Sequence, residues 1–277
     1  MPKRILVIGG DARIDRLYAS MRRDSLEVSR YTEDVPLKTA LNKADVVILG
    51  LPASTDGSTV YAPQLLRPIL MNDLLRLMDG RQLLLGGKFD EKTKSLMGIY
   101  GIKYVDYLRR EEFEIANAIP TAEGAIQIAM EELPVTLNGS NVIVTGYGRI
   151  GKYLSRLLGA LGATVTVFAR RQTDFALIKS AGLNPASYLY LPDAAMKADV
   201  LFNTVPARVI GRDALEALRG GLIIDLAASP FGCDLSEAAE AEVRVIRAGG
   251  LPGKVAPVTA GEIIKETIYN IFRETGE

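Results

Sequence analysis

The stretch Asn141-Val142-Ile143-Val144-Thr145-Gly146-Tyr147-Gly148-Arg149-Ile150-Gly151-Lys152 constrains this chain more than any other. A β-branched strand runs into glycines at 146, 148 and 151. A helix follows with Tyr153, Leu154, Leu157, Leu158 and Leu161 on one face, and Ala163-Thr164-Val165-Thr166-Val167-Phe168 closes the unit as a second strand. In such a βαβ unit the glycines serve a tight turn, room for a pyrophosphate against the backbone, and close packing of helix on strand. Free amides at the helix start hold the phosphates. The glycine spacing alone is weak evidence, but its strand-turn-helix-strand setting makes it a dinucleotide-binding turn built from Gly146, Tyr147, Gly148, Arg149, Ile150 and Gly151.

The end of the second strand tells which dinucleotide is expected. An NAD site places an Asp or Glu there on the ribose diol, whereas an NADP site removes the carboxylate and supplies Arg. The chain reads Phe168-Ala169-Arg170-Arg171. With no carboxylate to repel a 2′-phosphate and with guanidinium groups able to take it in a forked contact, NADP is the expected cofactor through Arg170 and Arg171. Further on, Ala198-Asp199-Val200-Leu201-Phe202 reads as a strand ending in Asn203-Thr204-Val205-Pro206, which this fold sets beside the nicotinamide half.

What the chain lacks narrows its chemistry. None of its 277 residues is histidine, which removes serine hydrolases with a Ser/His/Asp triad, histidine-ligated metal centres, and lactate-type or D-2-hydroxyacid-type dehydrogenases that depend on that side chain. The single cysteine, Cys233, rules out an internal disulfide and reads as a small loop or core residue; no metal site is expected. A formal net charge of zero with dispersed basic residues offers no broad positive surface for nucleic acid. The apolar runs are strand-length, so no membrane span is expected. Met1-Pro2-Lys3-Arg4 leads straight into a strand and leaves no room for a signal peptide, so a cytoplasmic location is expected.

The remaining segments alternate strand and helix. Ile5-Leu6-Val7-Ile8 stops at Gly9-Gly10-Asp11-Ala12-Arg13, with Asp11 read as an N-cap and Arg13 as a solvated helix residue near the carboxyl end of a sheet. Strands follow at 26–31, 46–51, 82–85 and 103–105, with helices at 37–44 and 68–78, and the polar loop 53–59 leaves the sheet at its carboxyl end. Residues 119–133 read as a linking helix with Pro120 near its start. Strands at 221–227 and 243–246 come next, and a final helix over 259–273 carries apolar residues at 263, 264, 268, 271 and 272, a stripe for packing on the first domain. The expected architecture is α/β, with two doubly wound Rossmann-like domains and an interdomain cleft: residues 1–118, a linking helix over 119–135, a dinucleotide domain over 136–256, and a returning helix over 257–277.

The order of these segments resembles one family, the A subunits of dipicolinate synthase. The matching pieces are Gly9-Gly10-Asp11-Ala12-Arg13, Pro120-Thr121-Ala122-Glu123-Gly124-Ala125, Gly146-Tyr147-Gly148-Arg149-Ile150-Gly151, Phe202-Asn203-Thr204-Val205-Pro206, Ile224-Asp225-Leu226-Ala227, and Gly250-Leu251-Pro252-Gly253-Lys254-Val255-Ala256-Pro257 with Thr259-Ala260-Gly261. The fingerprint and linking helix are shared with formate/glycerate-type dehydrogenases; the N-terminal and LPGKVAP segments are more specific. The chain departs from the family at Phe231, where a second glycine often stands. The resemblance implies oxidation of dihydrodipicolinate to dipicolinate with NADP as acceptor, in the mother cell of a sporulating bacterium, on a branch from the lysine pathway. It also implies a flavoprotein-like B subunit as partner; a homo-oligomer is expected as well.

A substrate with two carboxylates needs cations. Lys254, Arg13 and Arg208 are the candidate catalytic residues for that role, each on a loop or helix start, with Ser229 and Thr259 as hydroxyl donors that also suit a turn and an N-cap. Two other readings stay open: a histidine-free reductase or dehydrogenase of another small carboxylate, and a non-catalytic NADP-binding subunit whose chemistry sits on a partner.

Overall fold

The computed structural model describes residues 4–24 and 26–275; Met1-Pro2-Lys3, read above as leading into a strand, lie outside the described residues. The chain divides into two compact units, Met1–Asn117 with Ala256–Glu277, and Ala118–Val255. The first unit contains β1 (Arg4–Ile8), α1 (Ala12–Arg23), β2 (Glu27–Arg30), α2 (Leu37–Leu41), β3 (Val46–Leu49), α3 (Met71–Leu77), β4 (Leu83–Gly86), α4 (Glu91–Ile99) and β5 (Lys103–Asp106). Helix α5 (Glu111–Glu132) leads into the second unit, with β6 (Asn141–Thr145), α6 (Arg149–Ala160), β7 (Thr164–Phe168), α7 (Gln172–Ser180) and β8 (Asn184–Ala186). There follow α8 (Leu191–Ala195), β9 (Val200–Asn203), α9 (Arg212–Ala217), β10 (Leu222–Asp225), α10 (Leu235–Glu240), β11 (Arg244–Arg247) and α11 (Leu251–Val255), before α12 (Pro257–Thr275) returns to the first unit.

Both sheets are parallel. The first has the order β2-β1-β3-β4-β5 and the second β11-β10-β9-β6-β7-β8. These are the two common doubly wound orders, whose direction reverses between β1 and β3 in one unit and between β6 and β9 in the other. Ligands of such sheets collect outside the carboxyl ends of the strands at that reversal.

The strands are apolar on both faces because helices cover both. Val142 and Val144 face Leu154, Leu158 and Ala125, while Ile143 between them faces Leu215 and Ala214 on the other side. In the first unit Ile5 and Val7 meet Ile14, Leu17, Ile264 and Ile268, while Leu6 and Ile8 meet the cluster of Leu74, Leu75 and Met97. Period-2 alternation of side chains therefore yields two cores per sheet rather than one wet face.

Several elements differ from the sequence reading, among them α2, which ends at Leu41 and not 44. Helix α5 begins at Glu111, not near 119, and carries Pro120 inside it. Glu111, Glu112 and Glu114 favour its start through the helix dipole, and burial of Phe113 before the proline and of Ala122, Ala125 and Ala129 after it holds the helix through the missing N–H. Helix α3 begins at Met71, not Pro68, because the Val60 N–H bonds to Ile69 O and Thr59 bridges Leu70, which keeps 69–70 extended. Strand β8 has no counterpart in the sequence reading: its short Asn184–Ala186 run with Pro185 suits only the sheet edge that it occupies.

Candidate functional site

The three fingerprint glycines differ in what demands them. Gly146 has φ +93°, and a Cβ there would lie 2.5 Å from Thr204 Oγ1 and 2.7 Å from Val205 Cγ2. A Cβ on Gly151 would collide with the carbonyl oxygen of Gly146. Turn and packing thus require both. Gly148 has φ −82° and ψ −160°, extended backbone open to any residue, and a Cβ there would meet nothing within 4 Å. Neither conformation nor a neighbour asks for glycine at 148; its absent side chain leaves clear the space over the start of α6. That helix has no side-chain N-cap and no acidic residue in its first turn, whereas α1, α4 and α10 are capped by Asp11, Asp90 and Asp234. The uncovered amides of α6 and its positive dipole end fit a pyrophosphate.

Beside this turn, Arg170 lines a cavity of about 370 Å³ with Gln172, Ser187, Tyr188 and Val209. Burial pushes the Tyr188 hydroxyl up to about 12, with the Arg170 charge and the Gly146 amide pulling the other way. Arg171 points elsewhere: its Nε and Nη2 donate to the two carboxylate oxygens of Asp174, each at 2.9 Å. Tyr147 lies under the Lys152 ammonium, 5.6 Å from the ring centre, and burial raises its hydroxyl above the ordinary value. The Arg149 side chain, at the first position of α6, is exposed, and Ile150 is half-buried.

Asn203 is not the polar group exposed to a ligand that its position at the strand end suggested. It is fully buried and its amide is spent within the protein: Nδ2 donates to Val205 O at 3.0 Å and to Asp225 Oδ1 at 2.8 Å, while Oδ1 accepts from Thr145 Oγ1 at 2.6 Å and from the Val205 N–H at 3.1 Å. Its role is to shape the loop that presents Thr204, Val205 and Pro206. Asp225 completes the network by accepting from the Ala227 N–H at 3.0 Å and the Gly232 N–H at 2.8 Å. The ends of β6, β9 and β10 are thereby tied at the reversal of the sheet. Asp225 lies in the family segment Ile224-Asp225-Leu226-Ala227 but was given no role there, although an acidic residue closing an otherwise apolar strand is the signal that could have found it; Gly232 carries no motif. Cys233 is buried in the same unit, and burial and the Asp225 charge push its thiol up to about 11, so it is an inert core residue.

The three candidate cations stand in different states. Arg13 is buried, not solvated: it pairs with Asp11 at 2.7 Å and its Nη2 also donates to Leu51 O, which links the end of β1 to the end of β3 across the reversal of the first sheet. The short helix turn after Gly9 and Gly10 drives its side chain inward over the sheet end. Arg208 pairs with Asp234 at 2.9 Å on the surface. Lys254 is exposed in the last turn of α11, a helix where a loop was expected. Thr259 is no N-cap, since α12 begins at Pro257, whose fixed φ suits the first helical position. Ser229 is exposed in the loop after β10, and next to it Phe231 has φ +67°, with the Arg247 guanidinium 3.8 Å over its ring. Arg247, at the end of β11, is a cation that sequence reasoning missed because nothing in its local pattern marks it.

Comparison with known proteins agrees with this layout. Residues 4–108 match the family described as the N-terminal domain of the dipicolinate synthase A subunit, and residues 113–227 match "D-isomer specific 2-hydroxyacid dehydrogenase, NAD binding domain". The chain is 30% identical over 291 aligned residues to the A subunit of dipicolinate synthase of Bacillus subtilis (strain 168), covering 98% of this chain and 96% of that relative. It superposes on the crystal structure of the dipicolinate synthase A subunit from Bacillus halodurans with a TM-score of 0.90 at 27% identity, covering 98% of each chain. The crystal structure of the corresponding polypeptide of dipicolinate synthase from Bacillus subtilis gives 0.88 at 28% identity, covering 99% of this chain and 97% of that one. The chain belongs to the family of dipicolinate synthase A subunits, oxidoreductases with a dehydrogenase-type domain for a nicotinamide cofactor.

Proposed function

We propose that this protein oxidises dihydrodipicolinate to dipicolinate with NADP as hydride acceptor. The observation that carries the reading is Gly148, a glycine that neither backbone nor neighbours require, above uncapped amides at the start of α6. Bound NADP would supply the acceptor for the hydride. The α6 amides would hold its pyrophosphate, and a cation at the carboxyl end of β7 would take its 2′-phosphate. Lys254 and Arg208 would anchor the substrate carboxylates, while Arg13, already committed to Asp11 and Leu51 O, braces the sheet end from beneath. Loss of a hydride and a proton from the dihydropyridine ring yields an aromatic product, so the driving force lies in the substrate and water can take the proton. A chain without histidine can therefore perform the reaction through orientation and charge. The B. subtilis relative is by name one of the subunits of a synthase, which supports a second subunit beside this one; a place in the cytoplasm of the mother cell belongs to the same proposal.

Titration calorimetry with NADP, NAD and dipicolinate tests this reading. NADP should bind the wild type more tightly than NAD, and Gly148→Ala should lose at least about tenfold in NADP affinity with an unchanged unfolding temperature, because its methyl fills the phosphate space and meets no protein atom. Equal binding of NAD and NADP would refute the NADP assignment. Lys254→Ala should raise KM for the dicarboxylate or abolish turnover with NADP affinity intact; unchanged kinetics would remove Lys254 from the site.

A further inference from the structure

Two consecutive arginines end β7, and they are not equivalent. Arg171 is the residue before α7 with extended backbone, φ −96° and ψ 139°, and Asp174 stands in the first turn of that helix. The guanidinium and the carboxylate meet edge to edge through two parallel bonds of 2.9 Å. The Asp174 side chain is only 10% exposed, while that of Arg171 is 74% exposed. The carboxylate is thus the pinned partner: it is nearly dry, it is favoured by the start of α7, and its charge is balanced by one arginine. Drawing Arg171 away toward another anion would leave a nearly buried carboxylate uncompensated, the costly half of breaking such a pair. Arg170 is in the opposite situation. Its side chain is exposed, lines the cavity with Gln172 and Tyr188, and has no carboxylate partner among the described residues.

We propose that Asp174 withholds Arg171 from the 2′-phosphate of the coenzyme, so that Arg170 alone sets the preference for NADP over NAD. This inference rests on the NADP reading above and adds to it which cation reads the phosphate and what holds the other back. One charge-assisted fork corresponds to a preference of about ten- to a hundredfold, and a second, freed cation would add to it.

The test uses the full chain and two fragments that isolate the phosphate, adenosine 2′,5′-bisphosphate and 5′-AMP, titrated calorimetrically. The wild type should bind the bisphosphate at least about tenfold more tightly than 5′-AMP. Arg170→Ala should reduce the bisphosphate affinity to that of 5′-AMP, whereas Arg171→Ala should leave it within about twofold. Asp174→Asn should raise the bisphosphate affinity about five- to tenfold over wild type with 5′-AMP unchanged. A loss in Arg171→Ala equal to that in Arg170→Ala would overturn the proposal, and this variant decides the matter even if Asp174→Asn fails to fold. If the wild type discriminates and Asp174→Asn changes nothing, the restraint by Asp174 falls while the NADP reading stands. If the wild type does not discriminate but Asp174→Asn does, the NADP reading falls and the restraint stands; if neither discriminates, both fall.

Discussion

Asp225 shows how much of the site rests on single atoms. Each of its oxygens faces donors: Oδ1 the Asn203 amide and the Ala227 N–H, Oδ2 the Gly232 N–H. In Asp225→Asn one position must become NH2, and in either orientation it then opposes an N–H inside a site that is 1% exposed. The expected loss is about 1–3 kcal/mol of stability, the cost of an unsatisfied buried donor, measured as a lowered urea midpoint at constant slope. An unchanged midpoint would show that the loop after β10 relaxes freely. At this scale the sequence was informative where geometry is local. The spacing of Gly146, Gly148 and Gly151 announced the turn, but only three-dimensional neighbours separate the glycine that the fold does not require from the two that it does. Likewise Arg13 and Arg208 were identifiable as cations, but their commitment to Asp11 and Asp234 depends on how the chain turns after each strand.

Helices α1 and α12 are the clearest case at the level of elements. The sequence stripe 263, 264, 268, 271 marks a helix face, and in the structure it covers Ile14 and Leu17 with Gly261 so close that a Cβ would lie 2.6 Å from Arg13 O. The rim is charged: Arg16 donates to Glu262 at 2.8 Å, Ser20 to Glu262 at 3.0 Å, Lys265 to Asp24 at 3.1 Å, and Tyr269 to Asp24 at 2.7 Å. Burial raises the Glu262 carboxyl, but bonds from Lys265 and Ser20 and the Lys265 charge outweigh it and hold it below the usual range. A depressed carboxylate contributes stability that is fully present above its unfolded pKa of about 4.3 and is lost as pH falls through the folded value. Burial lowers Lys265, yet Asp24 and Glu262 leave it raised, so its contribution is present below about 10.4 and lost only as pH rises through the folded value. Glu262→Gln should therefore lower the unfolding temperature at pH 7 by about 2–4 °C, roughly 1 kcal/mol for a partly exposed group. The gap to wild type should begin to narrow below the unfolded value of about 4.3 and close only once pH has fallen through the depressed folded value, where both chains are neutral at 262. A gap that persists in acid would mean that the amide disturbs packing rather than charge.

The whole chain is interleaved: it begins the first unit, builds the second over Ala118–Val255, and returns to finish the first with α12. Ile263, Ile264, Ile268 and Ile271 of that helix lie in the same core as β1 and β3, and four such side chains at about 1.5–3 kcal/mol each rival the stability of an ordinary domain. A chain ending at Ala256 should lose amide protection in β1–β5 and bind a hydrophobic dye, while β6–β11 retain protection. Protection retained in β1–β5 would show that the first unit stands without its last helix. By itself the amino-acid sequence determined the alternation of strand and helix, the glycine turn between β6 and α6, the family and the absence of histidine chemistry, because each depends on local spacing or on which residue types occur. Tertiary structure alone decided the strand orders, the ties among Thr145, Asn203 and Asp225, the burial of Arg13 and the capture of Arg171 by Asp174. Those depend on which chain ends meet at the reversal of a sheet and on how much water is left around each charge, and neither quantity is carried by sequence spacing.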